Sequence, residues 1–365
     1  MPLRAMFLYW GRRGAMTPFT LALGKAALRD EQIAPVISVS RQNERFGDFA
    51  EFGDRLHAVD TFRHGSGALL AGWRIPGIRN NLLKRLRQDR IEAVYVLMSH
   101  VWTPLVAASI RKAGIAYVPI VHDAVHHPGD PTSAVLGWQL RDTDHASSIV
   151  TLSASVAASL AERRPSTRGR IVPLFHPDLD SVRPPARDPA GGEAFKLLFL
   201  GRILPYKGLD LLVDAVELLK REGVSIKLGV YGEGDLGSQR ERLSRLGATV
   251  VNRWLDEAEI AEALATHDAM ALSHVEASQS GVAALALGAG LPVIATPVGG
   301  LVEQVMDGET GILAGRADAP AFAAAIRCLA RDAALRGAIR RRIDETRESR
   351  SMSRFVRELC QIGRR

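Results

Sequence analysis

Strand-like apolar runs and helix-like stretches alternate along this chain, stop in a segment rich in Pro, Gly and charge, and then begin again. That restart constrains the fold more than any other feature. Before it, the pattern predicts strands over 3–10, 35–40, 93–98, 116–121, 148–152 and 171–174. Helices are predicted over 18–28, 78–88 and 102–113, with another from Ser155. The interruption, PDLDSVRPPARDPAGGEA at 177–194, has linker composition. After it come a strand over 196–200, a helix over 209–221, a strand over 226–231 and a glycine loop at 232–234. Strands separated by helices call for parallel, doubly wound sheets with ligand sites at the strands' carboxyl ends. The expectation is an α/β protein of two Rossmann-like doubly wound domains facing each other across a cleft. They span 1–176 and 195–345, with a linker at 177–194 and a helix at 346–365 crossing back to the first domain.

At 365 residues there is chain enough for two cores. With 47% hydrophobic and 24% charged residues the composition is globular. No apolar run reaches the roughly 18 residues of a spanning helix. The start, MPLRAMFLYWGRRGA, reads as a first strand and not as a leader, so a cytoplasmic location is expected. Two cysteines, Cys328 and Cys360, exclude a disulfide framework and a cysteine-rich metal site. The formal charge of +7 implies an acidic partner. Its excess lies late, from Arg336 to Arg365, without interleaved aromatics, which argues against nucleic acid. Two readings of that stretch stay open, a solvated basic face and peripheral contact with the anionic inner face of a membrane.

The densest chemistry lies in EASQSGVAALALGAGLPVIATPVGG, 276–300. Glu276 follows a strand. Ser278 and Ser280 are good N-caps for the helix that follows, so an acid stands beside backbone N–H groups suited to an anion. Upstream, the loop GRILPYKG places Arg202 and Lys207 between a strand and a helix, flanked by Gly201 and Gly208. Two cations at a strand's carboxyl end make a diphosphate site. The order is not that of a P-loop. His126 and His127 lack a third ligand at metal spacing and read as loop residues, as does His100.

GRILPYKGLDLLVDAV resembles the GR-x-x-x-x-KG signature of retaining glycosyltransferases of family 4, which have the GT-B fold. Glu276, GLPVIATPVGGLVE, the DGETG turn at 307–311, YGEG at 231–234 and the His122-Asp123 pair match further motifs in order. The resemblance covers the second half closely and the first half loosely. It implies transfer of a hexose from a nucleoside diphosphate sugar to an acceptor hydroxyl, by same-face attack, with no cofactor and no metal. The acceptor it implies is a saccharide, lipid-linked or not, of the exopolysaccharide-assembly type. By the same resemblance Arg202 and Lys207 neutralise the diphosphate, Glu276 holds sugar hydroxyls, and His122 faces the sugar from the first domain. The loop from Gly11 to Gly14 closes over the diphosphate or the acceptor. Gln279, Ser280, Gly281 and Val282 add to the donor site, and Gly232, Gly234, Arg253 and Trp254 lie near the base.

The chain departs from the family at the second glutamate of its Glu-x7-Glu motif. The position is Ala284, or Leu285 counted back from the GLP turn, and neither can bond a ribose. A lost charge-assisted hydrogen bond costs about 1.5–3 kcal/mol. The departure keeps a second reading open, a non-catalytic GT-B subunit or nucleotide-sugar sensor. An epimerase would need further carboxylates that the sequence does not supply.

Overall fold

The computed structural model describes residues 1–64, 67–127, 129, 135–179 and 194–364. Most of the predicted linker, 180–193, lies outside the described residues. The chain forms two compact units. One comprises Met1–His126, Thr132–Phe175 and Ser351–Arg365, the other His127–Pro131 and His176–Arg350.

The first unit holds a seven-stranded sheet of β1 (Leu3–Tyr9), β2 (Ile33–Ser40), β3 (Leu56–Val59), β4 (Ala93–Met98), β5 (Ala116–Val121), β6 (Ile149–Thr151) and β7 (Ile171–Pro173), in the order β3-β2-β1-β4-β5-β6-β7. Every pairing is parallel. β1 and β4 are apolar almost throughout, as strands covered on both faces must be. Phe7 and Tyr95 lie opposite each other with rings stacked at 5.3 Å. The Met352–Gly363 helix belongs to this unit. It packs on Met16–Arg29, where Phe355 meets Phe19 edge-on at 5.9 Å, and its Cys360 carbonyl accepts from the Tyr95 hydroxyl at 3.2 Å. Cys360 is buried and Cys328 exposed.

The second unit repeats the plan with β8 (Phe195–Leu200), β9 (Ile226–Tyr231), β10 (Thr249–Val251), β11 (Ala269–Leu272), β12 (Val293–Ala295) and β13 (Gly311–Leu313), again all parallel, in the order β10-β9-β8-β11-β12-β13. Helices Leu209–Arg221 and Ala319–Arg331 supply Leu212, Val213, Leu219, Phe322 and Ile326 to its core. The direction of strand order reverses between β8 and β11, the position where open α/β sheets take ligands.

Two differences from the sequence reading have local causes. Helices predicted from 18 and 78 begin at Met16 and Ile75, because a proline in the first turn lacks only an N–H that has no intrahelical acceptor there. The basic C-terminal stretch is not simply a solvated face. Arg336 is buried, donates to the Leu329 carbonyl at 2.7 Å and lies over Phe195. Arg350 is buried against Asp178 at 3.0 Å and donates to the Ile343 carbonyl. Arg342, Arg347 and Arg354 bond Glu309, the Gly288 carbonyl and Glu358. No helix among the described residues is long and apolar enough to cross a membrane.

Candidate functional site

β8 ends at Leu200 and its loop is stitched to the end of β9. Gly201 N–H donates to the Tyr231 carbonyl at 2.9 Å and Ile203 N–H to that of Glu233 at 2.8 Å. Gly232 has φ 148°, and a Cβ there would collide with the Gly201 carbonyl oxygen. Gly234 faces the Ile203 carbonyl in the same way. Both glycines, expected beside a base, thus have a backbone reason to be there: they let two loops touch main chain to main chain. Arg202 lies exposed between the stitched residues.

Lys207 ends a 3-10 turn, Pro205–Lys207, and the next residue, Gly208, has φ 67°. A Cβ at Gly208 would strike the Ser273 carbonyl oxygen, so the turn sits directly on the exit of β11. Ser273 Oγ donates to the Lys207 carbonyl at 3.1 Å, and Val275 N–H to that of Tyr206 at 2.9 Å. The Lys207 ammonium lies 2.8 Å from His274 Nε2 and 5.1 Å from the Tyr206 ring centroid. Burial, with Lys207 and His127 nearby, holds the His274 pKa well below the usual imidazole range.

β11 is wholly buried, and Thr296 fixes its exit by donating through Oγ1 to the His274 carbonyl at 2.5 Å. Glu276 emerges half-exposed. His127 flanks it, Nδ1 at 3.7 Å from Glu276 Oε2 and Nε2 at 2.9 Å from Ser278 Oγ. The His127 ring stacks on Tyr206 at 4.8 Å. His127, read from sequence as a loop residue, therefore links the Glu276 segment to the Lys207 turn.

The Gly281–Gly288 helix begins as expected at Ser280, whose Oγ accepts from Ala283 N–H at 3.3 Å. Part of this helix start is already occupied. The Ser280 N–H is committed to Gln304 Oε1 at 2.6 Å, and Gln304 Nε2 returns to the Ser280 carbonyl at 3.1 Å. Ser280 thus offers no backbone donor to an anion. Gly281 and Val282, whose N–H groups enter no hydrogen bond among the described residues, do. The helix start adjoins the β8 loop: a Cβ on Gly201 would stand 3.3 Å from Val282 Cγ2. Gln279 is part-buried beside it. Ala284, at the place of the absent acid, is 1% exposed, and its carbonyl accepts from Leu179 N–H at 3.1 Å.

Elsewhere in this unit Arg253 is paired with Glu259 and donates to the Trp254 carbonyl at 3.1 Å. Glu259 closes a capping box with Asp256, so Arg253 braces the start of Glu257–Thr266. Trp254 is partly exposed. In the first unit, Gly11 follows β1 with its Cα against the Tyr9 ring, and its carbonyl accepts from Asn43 Nδ2 at 2.9 Å. Gly14, with φ 108°, precedes the Met16–Arg29 helix. His122 Nε2 lies 2.7 Å from the Leu97 carbonyl and must donate to it, while burial lowers the ring's pKa and leaves Nδ1 an acceptor. His100, expected at a loop, is half-buried among Trp10, Phe62 and Trp102. Among the described residues no group of three or more His, Cys, Asp or Glu is arranged to hold a metal ion.

The family model "Glycosyl transferases group 1" matches residues 194–332, the part of the chain that carries this arrangement. The glycogen synthase of Mycobacterium tuberculosis is 32% identical over 304 residues, covering 78% of this chain and 69% of that protein. The chain belongs to the group 1 glycosyl transferases. Within that family it is also 27% identical over 297 residues to the D-inositol 3-phosphate glycosyltransferase of Pseudarthrobacter chlorophenolicus, covering 72% of this chain and 69% of the other. The solved structure of Anabaena Alr3699/HepE in complex with UDP and glucose matches with a TM-score of 0.71 at 15% identity over 98% of each chain. At that identity the likeness is one of fold, the two Rossmann-like domains of GT-B glycosyltransferases. Arg202, Lys207 and Glu276 were legible from sequence. His274, His127, Tyr206 and Gln304 were not assigned there. Only His274, a polar residue within an apolar strand exit two before Glu276, gave a signal that could have been followed.

Proposed function

We propose that this group 1 glycosyl transferase is a retaining enzyme of family 4 that moves a hexose from a nucleoside diphosphate sugar to an acceptor hydroxyl. One observation carries the reading. Arg202, Lys207, the Gly281 and Val282 N–H groups and Glu276 all stand at the carboxyl ends of the adjacent strands β8 and β11. In this reading the cations and backbone donors hold the diphosphate and stabilise the charge that grows on it as the sugar leaves. Glu276, flanked by His127, accepts hydrogen bonds from sugar hydroxyls. The departing phosphate takes the acceptor's proton, and attack comes from the same face. The side-chain cations supply the charge that a divalent ion supplies in other transferases, so no metal is required. The roles of His122, Gly11 and Gly14 towards the donor, and of Gln279, Gly232, Gly234, Arg253 and Trp254 around the nucleotide, rest on the family resemblance. So does an acceptor of the saccharide or lipid-linked saccharide class, handled in the cytoplasm or at the inner membrane face during polysaccharide assembly.

A panel of UDP-, GDP- and ADP-sugars screened by thermal shift finds the donor, because a ligand bound to the native state raises its apparent stability. With that donor, hydrolysis or transfer should persist in excess chelator and fall about a hundredfold or more in Arg202→Ala. A wild-type protein that binds and hydrolyses none of them sinks the reading. Activity lost to chelator and restored by a divalent ion sinks the metal-independent part. Equal turnover of a soluble acceptor with and without anionic vesicles removes the membrane.

A further inference from the structure

His274 is 3% exposed, yet its Nε2 lies 2.8 Å from the Lys207 ammonium. An ammonium only donates, so Nε2 accepts and the neutral ring carries its proton on Nδ1. Nδ1 has no hydrogen-bond partner among the described residues. A buried polar group left in that state is unfavourable, and an apolar side chain of similar volume would fill the space without the penalty. Packing therefore does not account for a histidine at this position. Contact with Lys207 does.

We infer that His274 is a positioning residue that aims the Lys207 ammonium at the donor's diphosphate without reducing its charge. This rests on the reading of Lys207 as a diphosphate contact. A lysine side chain has a long, flexible stem, and orienting it beforehand removes an ordering step from binding. The turn that carries Lys207 is already fixed by Gly208, Ser273 and Val275. His274 extends that order to the ammonium itself. A carboxylate there would hold the lysine equally well, but would neutralise it against the phosphates. A neutral imidazole holds it and leaves the charge whole, and the depressed His274 pKa keeps the ring in that form.

Inorganic pyrophosphate tests this without knowledge of base or sugar. Its affinity would be measured by calorimetry for the full-length protein and for Lys207→Ala, His274→Leu, His274→Gln and His274→Glu. Lys207→Ala should weaken binding about tenfold or more, and His274→Leu about three- to tenfold. His274→Gln, which returns an acceptor at the Nε2 position, should stay within about twofold of wild type. His274→Glu should bind as weakly as His274→Leu although it still reaches the lysine. Gln and Glu share a reach and differ in charge, so their contrast isolates the partner's charge, while retention of affinity in His274→Gln tests the positioning even if the leucine variant does not fold. A wild-type protein that does not bind pyrophosphate, or a Lys207→Ala variant that binds as well as wild type, overturns the diphosphate reading itself. Loss in Lys207→Ala with wild-type affinity in His274→Leu, or with His274→Gln as weak as His274→Glu, overturns the positioning role alone, and wild-type affinity in His274→Glu overturns the need for a neutral partner.

Discussion

Ala284 stands where the family resemblance places a second acid, and its surroundings explain why that acid cannot simply be put back. The residue is 1% exposed, and its carbonyl is already bonded to Leu179 N–H. A carboxylate there would be buried, a costly arrangement. Ala284→Glu should therefore lower stability by about 3 kcal/mol or more, with no gain in donor affinity, in paired thermal-melt and donor-titration measurements. A stable variant with tighter donor binding would show that the ribose is handled as the resemblance implies after all. Arg202, Lys207 and Glu276 could be read from sequence because each sits at a fixed offset from a glycine or a strand end. The residues that orient them could not. His274 meets Lys207 across 67 positions, His127 meets Ser278 across 151, and Gln304 meets Ser280 across 24. Such contacts arise from strand order and loop packing, which no local spacing encodes.

Among the elements, the pairing of the β8 and β9 loops fixes where Arg202 emerges. It depends on Gly232, since any Cβ at that residue would enter the Gly201 carbonyl. Gly232→Ala should cost about 2 kcal/mol or more and weaken donor binding together, because the same displacement moves Arg202. A variant destabilised to that extent but with unchanged donor affinity would separate the loop pairing from the site. Long apolar strands and first-turn prolines made most elements of both sheets visible in advance. β3 was missed because LHAV is short and mostly half-buried at a sheet edge, with little alternation to detect. The Ser280 cap was legible, but its prior engagement by Gln304 was not, because Gln304 approaches from the next helix.

For the whole molecule, acid stability follows from groups buried in the first unit with opposite signs of linkage. Burial pushes His57 and His100 down to about 4. Unfolded, each takes a proton near its ordinary 6.5, so their contribution to stability is present above 6.5 and is lost as pH falls through about 4. Asp142 runs the other way. Burial raises it to about 6, opposed by hydrogen bonds from Thr103, Ser99 and Tyr117, against 3.8 in an unshifted aspartate. Its contribution is fully present below 3.8 and is lost as pH rises through about 6. Between pH 6.5 and 4.5 the histidines destabilise the fold while Asp142 partly compensates. Asp142→Asn removes the compensation and leaves the histidines in place. Chemical unfolding across that range should show the variant losing stability more steeply than wild type, the gap between them widening by about 2 kcal/mol on acidification. A gap that stays constant with pH would mean that Asp142 ionises in the fold as it does in the unfolded chain. Its three hydroxyl donors would then offset its burial.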